Sequence, residues 1–318
     1  MPVLAPPPPD PGAVESPPPP PGVPEPPAGT AARPSPARPG IALAGVVCCV
    51  LAALLFGFAA NLTVVGHLKH ARDQQTAYDE LRKQLALGTA PVGQRTFDGK
   101  ALKPGAPVAL LRIPALDVKE VVAEGTSSSV LMSGPGHRRD TPLPGQAGTV
   151  VLMGRQWGYG SPFNKLHNLP VQTRFELTTG QGKSVYEVTG LRRAGDDLPA
   201  PLGQGQGRLT LITATGGPYT PAGILRLDAK LLTPVQPSPP REIRSGWIPE
   251  SEEALGTEDD AWLAVFLWTQ ALLAAALLAV WVRRSWGRWQ TWICALPVLG
   301  VLGLADAQAL TALLPNLL

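Results

Sequence analysis

The sequence has 318 residues, of which 44% are hydrophobic and 16% charged, and it contains 37 prolines and 34 glycines. This mixture excludes a single compact domain and is typical of a low-complexity segment, membrane helices and a modest globular domain in one chain. The formal net charge of +3 is too small to indicate a nucleic-acid partner. Phosphate-binding glycine motifs and metal-spaced sets of cysteine and histidine are absent from the sequence, so neither a cofactor nor a metal is expected.

The first 40 residues contain seventeen prolines, including the unbroken runs 6–9 and 17–21. Such a segment has little to bury and lacks many amide donors, which predicts a disordered, Pro-rich tail with polyproline II character. A plain spacer and a docking tail for proline-binding modules are the two alternatives.

Ile41–Val65 is a run of 25 residues without a charged side chain. This length covers the roughly 30 Å of hydrocarbon in a bilayer, so we predict a first transmembrane helix, retained as an uncleaved anchor. Residues 66–100 follow as a polar lead-in. A partial apolar stripe over His67–Ala86 predicts a helix, either a stalk or a helix packed on the next domain, and Gly88 is expected to end it.

Residues 101–235 contain short apolar runs that are separated by Gly, Pro or Asp, which is typical of a small β barrel or sandwich. Strict alternation in Arg174–Thr178 and Ser184–Val188 predicts two half-buried strands, joined by a hairpin turn over Thr179–Lys183. The remaining predicted strands are Val108–Ile113, Glu120–Val122, Thr149–Met153, Arg208–Thr213 and Ile224–Leu232.

Residues 236–260 are first Pro-rich and then acidic, and we interpret them as an acidic linker that forms a solvated tether. Ala261–Val282 is the second predicted transmembrane helix, with Trp262 and Trp281 near its two ends. Residues 283–290 form a basic loop. Thr291–Leu314 is a third apolar segment, predicted to span the membrane, with a re-entrant or interfacial segment as the alternative.

Two features of these membrane segments carry further expectations. Asp306 lies inside the third segment, where an unpartnered charge costs at least about 2.5 kcal/mol, so we expect an interface, a proton or a polar partner there. The basic loop at 283–290 is expected on the cytoplasmic side of a plasma membrane. Three alternating spans then place the N-terminal tail in the cytoplasm and residues 101–235 outside the cell.

Cysteine positions limit the chemistry of the middle of the chain. Cys48 and Cys49 lie in the first apolar segment and Cys294 in the third, and residues 66–260 contain no cysteine. This excludes both a disulfide and a cysteine nucleophile from that region.

Two motifs carry a resemblance to a known family. Gly145–Phe163 reads Gly-Gln-Ala-Gly-Thr-Val-Val-Leu-Met-Gly-Arg-Gln-Trp-Gly-Tyr-Gly-Ser-Pro-Phe, and Arg208–Thr215 reads Arg-Leu-Thr-Leu-Ile-Thr-Ala-Thr. They resemble the Pro-Gly-x-x-Gly-Asn-x-x-x-x-Gly-His-Arg segment and the Leu-Thr-Leu-x-Thr-Cys strand of sortases, the cysteine transpeptidases of Gram-positive cell surfaces.

Further segments follow in the same order over about 120 residues. Leu111–Pro114 resembles the opening strand of the family, and Gly134–His137 with Thr141–Gln146 resembles the actinobacterial branch often called class E. Phe163, Leu166 and Leu169 match the Phe-x-x-Leu-x-x-Leu turn of that branch. The resemblance implies a mainly β, closed sortase barrel, here flanked by transmembrane α-helices and the Pro-rich N-terminus.

The resemblance also implies that the family's chemistry is altered at three positions. Arg155 stands at the acid/base position of the family's histidine, and Ala214 at the nucleophile position of its cysteine. The arginine position has two candidates. It falls on Ile224 if Ala229–Leu231 is aligned with the family's Ala-x-Leu ending, and Arg226, two residues later on the same strand face, could supply the charge from a shifted place. An arginine with a pKa above about 12 does not release a proton near neutral pH, and an alanine has no nucleophile.

We therefore expect a catalytically inactive sortase-like protein with no catalytic residues. Arg155 is either a solvated loop residue or a ligand contact, and Trp157, like the neighbouring Tyr159, is either a loop-packing residue or part of a binding surface. His137 is expected to pack in a loop, and His167 to face solvent. The candidate residues of a ligand groove are Arg155, Gln156, Trp157, Thr213, Ala214, Thr215, Arg226 and His137.

Three functions remain open from the sequence. The first is a binding or scaffolding site for a cell-wall or surface peptide, or for an active sortase. The second is a divergent transpeptidase or hydrolase that uses Thr213, Thr215 or a histidine. The third is a structural membrane component. The bilayer is an expected partner in each case.

Overall fold

The computed structural model describes Cys48, Ala52 and residues 54–318, except Tyr219 and Ser245. The predicted Pro-rich tail and most of the first predicted membrane segment lie outside the described residues. Residues 54–60 are helical, and a π-helical turn over Asn61–Val65 leads into helix α1, Gly66–Leu87. Gly88 ends α1 in the left-handed conformation, with φ 66°, as glycine commonly does after a helix.

Helix α1 packs on the β domain through the side chain of Gln74. Its amide nitrogen donates to the carbonyls of Val121 (3.1 Å) and Ser133 (2.8 Å), and its oxygen accepts from the Val121 amide at 2.7 Å. Leu81, on α1, is 1% exposed. Of the two alternatives for the lead-in, the structure therefore has the helix packed on the domain.

Eight strands in the described part of the chain close into a barrel in the order β1-β2-β3-β4-β7-β8-β6-β5. The pairs β2/β3 and β4/β7 are parallel, and the other neighbours are antiparallel. The strands are β1 Pro107–Ile113, β2 Val118–Glu124, β3 Gly136–His137, β4 Gly148–Met153, β5 Arg174–Thr179, β6 Gly182–Arg192, β7 Gly207–Gly217 and β8 Thr220–Leu231. This confirms the predicted closed β barrel.

Alternate residues of each strand fill the barrel interior, as the period of a β-strand requires. Phe175 and Tyr186 stack there with ring centroids 5.9 Å apart, and Leu211 and Leu227 are 0% exposed. The short helix α2, Ser128–Leu131, packs outside the barrel against the outward face of β4 and β7. Because both faces of β7 are covered, the run from Leu209 to Ala214 is buried throughout.

We expect Tyr186→Phe to lower the free energy of unfolding by about 1–3 kcal/mol. The Tyr186 hydroxyl oxygen accepts the Gly145 amide at 2.7 Å, and burial raises the pKa of this phenol. Phenylalanine would leave that amide buried without an acceptor. Urea unfolding of the full chain in detergent measures the change. The matched control is Tyr78→Phe, on α1, which keeps the ring that Lys119 contacts. Equal losses of unfolding free energy in the two variants would contradict the prediction.

The acidic linker is not a solvated tether, so that part of the sequence interpretation is wrong. Glu252 lies in a 3-10 turn, Glu250–Glu252, is 4% exposed and pairs with Arg139. Glu253 pairs with Arg138 at 2.9 Å. Two adjacent arginines after β3 thus fix the linker to the barrel, because partly buried carboxylates need such partners.

Two helices of the described part of the chain are long and apolar enough to cross a membrane. They are α3, Ala261–Trp286, and α4, Arg288–Ala312, and their candidate spans are Ala261–Arg283 and Trp289–Ala312. The predicted basic loop of residues 283–290 is almost wholly helical, because the chain leaves the helix only at Gly287, with φ 93°.

Asp306 has the expected polar partner: the Thr269 hydroxyl donates to its carboxylate at 2.9 Å.

Candidate peptide groove

The parallel pairing of β4 with β7 brings the acid/base and nucleophile positions together. Met153 pairs with Ile212, and the Gly154 amide donates to the Ile212 carbonyl at 3.0 Å. Arg155 and Ala214 each lie two residues after this pair, Met153 and Ile212. Arg155 lies just beyond the end of β4, beside the part of the neighbouring strand β7 that carries Ala214.

Arg155 is 1% exposed, which rules out the solvated alternative. One terminal nitrogen, Nη1, donates to the main-chain oxygen of Leu318, and the other, Nη2, donates to the Ser128 hydroxyl (2.7 Å) and carbonyl (3.2 Å). The guanidinium also lies over the ring of Tyr159, 5.3 Å from its centroid. The guanidinium therefore donates its hydrogen bonds to oxygens that the fold keeps in place. This geometry is suited to binding a main-chain oxygen or a carboxylate.

Ala214 is 1% exposed and belongs to an apolar cluster on the outer face of the barrel. We call the surface that Leu131, Met153, Ile212 and Ala214 of this cluster form with Arg155 and Ser128 the groove. The buried members of the cluster are Leu131, Met153, Ile212, Ala214, Leu317 and Leu318. Residues 317 and 318 come from the segment after α4, so Arg155 and Ala214 border the same piece of chain.

Neither threonine beside Ala214 is placed as a nucleophile with a base. Thr213 is 2% exposed, and its hydroxyl donates to the Gly154 carbonyl at 2.9 Å. Thr215 is half-buried and lines, with Thr213 and His167, a cavity of about 190 Å³ beside the groove. Thr213 and Thr215 alternate with Ala214 along β7 and so point to its other face.

Ile224, one of the two residues expected at the arginine position, pairs with Ala214 across β7 and β8. Ile224 packs against the apolar cluster of the groove. Arg226 pairs with Ile212, so it lies on the same sheet face two residues further along β8, and it is half-buried. The apolar Ile224, rather than a cation, is therefore the residue next to the nucleophile position.

The side chains of the loop after Arg155 are mostly buried or half-buried rather than exposed. Tyr159 is 1% exposed and packs with Leu62 and Met132, so it is not part of an exposed binding surface. Gln156 and Trp157 are half-buried. The Gln156 amide donates to the Leu317 carbonyl at 2.9 Å, and its side chain donates to the Gly216 carbonyl at 3.4 Å.

His137 is part of a buried ion pair on β2 and β3 rather than of the groove. Its Nδ1 lies 2.8 Å from the Glu124 carboxylate and its Nε2 lies 2.9 Å from the Pro142 carbonyl. Burial disfavours the charged ring, but the Glu124 carboxylate and the Pro142 carbonyl together raise the pKa of His137. Acceptors at both nitrogens favour the doubly protonated ring. His167, in contrast, is exposed, as predicted.

Two groups of groove residues were missed by the sequence analysis. Ser128, on α2, binds Arg155, and residues 316–318 fill the groove. Ser128 lies in a Ser-Ser-Ser run with no distinguishing signal. The segment 315–318 did have one: Pro315 and Asn316 interrupt an apolar run, which is typical of a chain that leaves a helix.

Comparisons with known proteins match part of the chain to sortases. The family model described as the sortase domain matches residues 111–223. Sortase D of Bacillus subtilis (strain 168) is 24% identical over 181 residues, which cover 53% of this chain and 90% of that protein.

Solved structures with a similar fold include two sortases. A Clostridium perfringens sortase D5 transpeptidase has a TM-score of 0.42 and 20% identity, covering 51% of this chain and 99% of that one. Sortase E1 of Streptomyces coelicolor, solved with a tripeptide in the active site, has a TM-score of 0.36 and 24% identity, covering 42% and 93%.

The fold is a closed, eight-stranded barrel of the sortase kind, built from the described residues. Residues 111–223 of the chain match the sortase domain model, and the chain is similar in sequence to sortase D. The predicted resemblance to sortases is confirmed, and the altered catalytic positions stay a prediction.

Proposed function

We propose that this protein is a membrane-anchored, sortase-like protein that binds peptides in its groove without transpeptidase activity. The observation that carries the proposal is Arg155, which occupies the acid/base position and donates to the main-chain oxygen of Leu318 while 1% exposed. A buried guanidinium that binds a main-chain oxygen is a recognition element, since it has no proton to transfer near neutral pH.

The nucleophile and arginine positions support the same proposal. Thioacyl chemistry needs a thiolate, and Ala214 has only a methyl group inside an apolar cluster. Stabilisation of an oxyanion needs a donor or a cation nearby, and Ile224 supplies neither at the paired position. The partner that fits is a cell-wall or surface polypeptide, or an active sortase that presents an extended segment.

The proposed topology has three spans in a plasma membrane, with the N-terminus in the cytoplasm and the barrel outside the cell. Two candidate helices, α3 and α4, and the arginines at their junction support it. The apolar side chains of Leu55 (69% exposed) and Phe56 (78% exposed) support a membrane location for the segment before α1. The proposed domain limits are those predicted from the sequence, with the barrel in residues 101–235.

Two rival functions make different demands on the groove. A divergent transferase or hydrolase would need an activated hydroxyl, and Thr215 and His167 line one cavity beside the groove, which is the observation in its favour. A structural membrane component would need no ligand at all. Both are separated from peptide binding by one experiment.

The test incubates the full chain, in detergent micelles, with a fluorescent peptide carrying a cell-wall sorting motif at up to millimolar concentration. We expect saturable binding by fluorescence anisotropy, no adduct in the intact mass and no cleaved peptide by chromatography. A covalent adduct or turnover would favour the enzyme. The absence of both binding and turnover would favour the structural component.

A double variant, Ala214→Cys with Arg155→His, examines the remaining chemistry. A thioacyl adduct in this variant would indicate a groove that is still competent for transpeptidation. A folded but inert variant would indicate a wider loss that includes the arginine position, now Ile224. Ala214→Ser, which adds a hydroxyl of similar size but no thiol, is the matched control.

A further inference from the structure

The segment after α4 leaves the helix and enters the groove. Helix α4 ends at Ala312, and Asn316, Leu317 and Leu318 are 0%, 0% and 3% exposed. Burial this complete is unusual for polar asparagine, which is normally found at the surface unless it is well hydrogen-bonded. The burial of this segment therefore indicates specific contacts rather than incidental packing.

Asn316 anchors the segment to the walls of the groove. Its side-chain nitrogen donates to the carbonyls of Thr126 and Glu253, both at 2.8 Å, and more distantly to Ser251 at 3.4 Å. Its main-chain amide donates to the Gly256 carbonyl at 2.9 Å. The acidic linker thus forms one wall, and the loop after β2 forms the other.

Leu317 and Leu318 are bound through both their main chain and their side chains. The Gln156 amide donates to the Leu317 carbonyl, and Arg155 donates to the main-chain oxygen of Leu318. The two leucine side chains join the apolar cluster around Ala214. Main-chain hydrogen bonds combined with apolar side-chain contacts are the usual means by which proteins bind extended peptides.

We propose that residues 315–318 are an intramolecular peptide ligand that occupies the groove at both altered positions. The external ligand is then an extended peptide of the same chemistry, with an amide side chain followed by two apolar residues, and it binds by displacing this segment. The claim for an external ligand rests on the proposed function, whereas occupancy by residues 315–318 does not.

Tethering makes the internal ligand a strong competitor. A short tether gives a bound segment an effective concentration in the millimolar range, so a free peptide must outcompete it. An external peptide therefore binds more weakly to the wild type than to a chain whose own segment is released. We expect a difference in Kd of at least about ten-fold.

The test releases the segment and measures exchange at single amides. Leu317→Asp places a charge in the apolar cluster, and Asn316→Ala removes the anchoring side chain. In the full chain in detergent, hydrogen exchange at the Gln156 amide is expected to be at least about ten-fold faster in each variant than in the wild type. The Leu211 amide, in the barrel ladder, reports that the barrel remains folded. Leu198→Asp, at a position 84% exposed, is the matched control.

The second arm adds a synthetic peptide, Leu-Pro-Asn-Leu-Leu, and a scrambled form. Arg155 can bind a carbonyl or a carboxylate oxygen, so the peptide is used with both an amide and a free-acid end. We expect the peptide to restore protection of Gln156 in the variants. In the wild type, at high peptide concentration, we expect protection of the Asn316 amide to be lost while Gln156 stays protected.

Equal exchange of Gln156 in the wild type and the variants would overturn the proposal, and so would equal affinity of wild type and variants for the peptide. Because this probe copies residues 314–318, failure of sorting-motif peptides to bind in the earlier experiment counts against the proposed function alone. Protection of Gln156 by the segment is measured without any external ligand, so the two failures are distinguishable.

Discussion

The variant His137→Leu is expected to lose about 3–5 kcal/mol of the free energy of unfolding. The Glu124 and His137 side chains are 2% and 1% exposed, so removal of the imidazolium leaves a carboxylate buried beside a leucine. A buried charge without its partner is among the most destabilising changes in a protein interior. Urea unfolding of the full chain in detergent, followed by near-ultraviolet circular dichroism, measures the loss.

The same ion pair predicts the direction of a pH effect. The pKa of His137 is raised in the folded chain, so the proton is bound more tightly when folded than when unfolded. The stabilisation is complete below the unfolded pKa of about 6.5 and is lost as the pH rises through the higher folded value. This falling component should be absent from His137→Leu.

The matched control is His167→Leu, at an exposed position of the barrel surface. Its unfolding free energy should stay within about 0.5 kcal/mol of the wild type, and its pH dependence should be unchanged. A similar small loss for both histidine variants would show that the Glu124–His137 pair does not hold the barrel together.

The second large effect is expected for Arg155→Met. Methionine keeps an apolar stem of similar length but removes the donors to Leu318 and Ser128, leaving their oxygens buried without those partners. Each such oxygen costs about 1–3 kcal/mol, so we expect a total loss of about 2–5 kcal/mol, together with release of residues 317–318. Denaturant unfolding gives the first quantity, and exchange of the Gln156 amide gives the second.

Arg82→Met, on the exposed side of α1, is the control for this substitution. Methionine is a good helix former, so a change within about 0.5 kcal/mol is expected there. If Arg155→Met proved as mild as Arg82→Met, the guanidinium would contribute nothing to the groove beyond its aliphatic stem.

The barrel could be predicted because its strands carry local signals. Alternation in Arg174–Thr178 and Ser184–Val188, with glycines at the turn between them, gave the β5–β6 hairpin within a few residues of its observed limits. Strand β3, only two residues long, could not be found in this way, because Gly136 and His137 show no period. The loop after Arg155 was only half predicted, since the burial of Tyr159 depends on Leu62, far away in the sequence.

The residues that fill and border the groove could not be predicted from the sequence, for a different reason. The acidic run of residues 250–260 looks solvated unless one knows that Arg138 and Arg139 face it across the fold. Likewise, Pro315 and Asn316 indicate that the chain leaves α4, but nothing local indicates that Leu317 and Leu318 are buried against the barrel. In both places a partner more than 100 residues away in the sequence decides the burial of a side chain.

The short connection between α4 and the groove limits where a partner can approach. Five residue steps separate Ala312 from Leu317, and an extended chain covers at most about 18 Å in that distance. If α4 crosses the bilayer as proposed, the groove opens close to the lipid headgroups. Polypeptides that are themselves still embedded in the same leaflet would then meet it far more often than molecules diffusing freely through the cell wall.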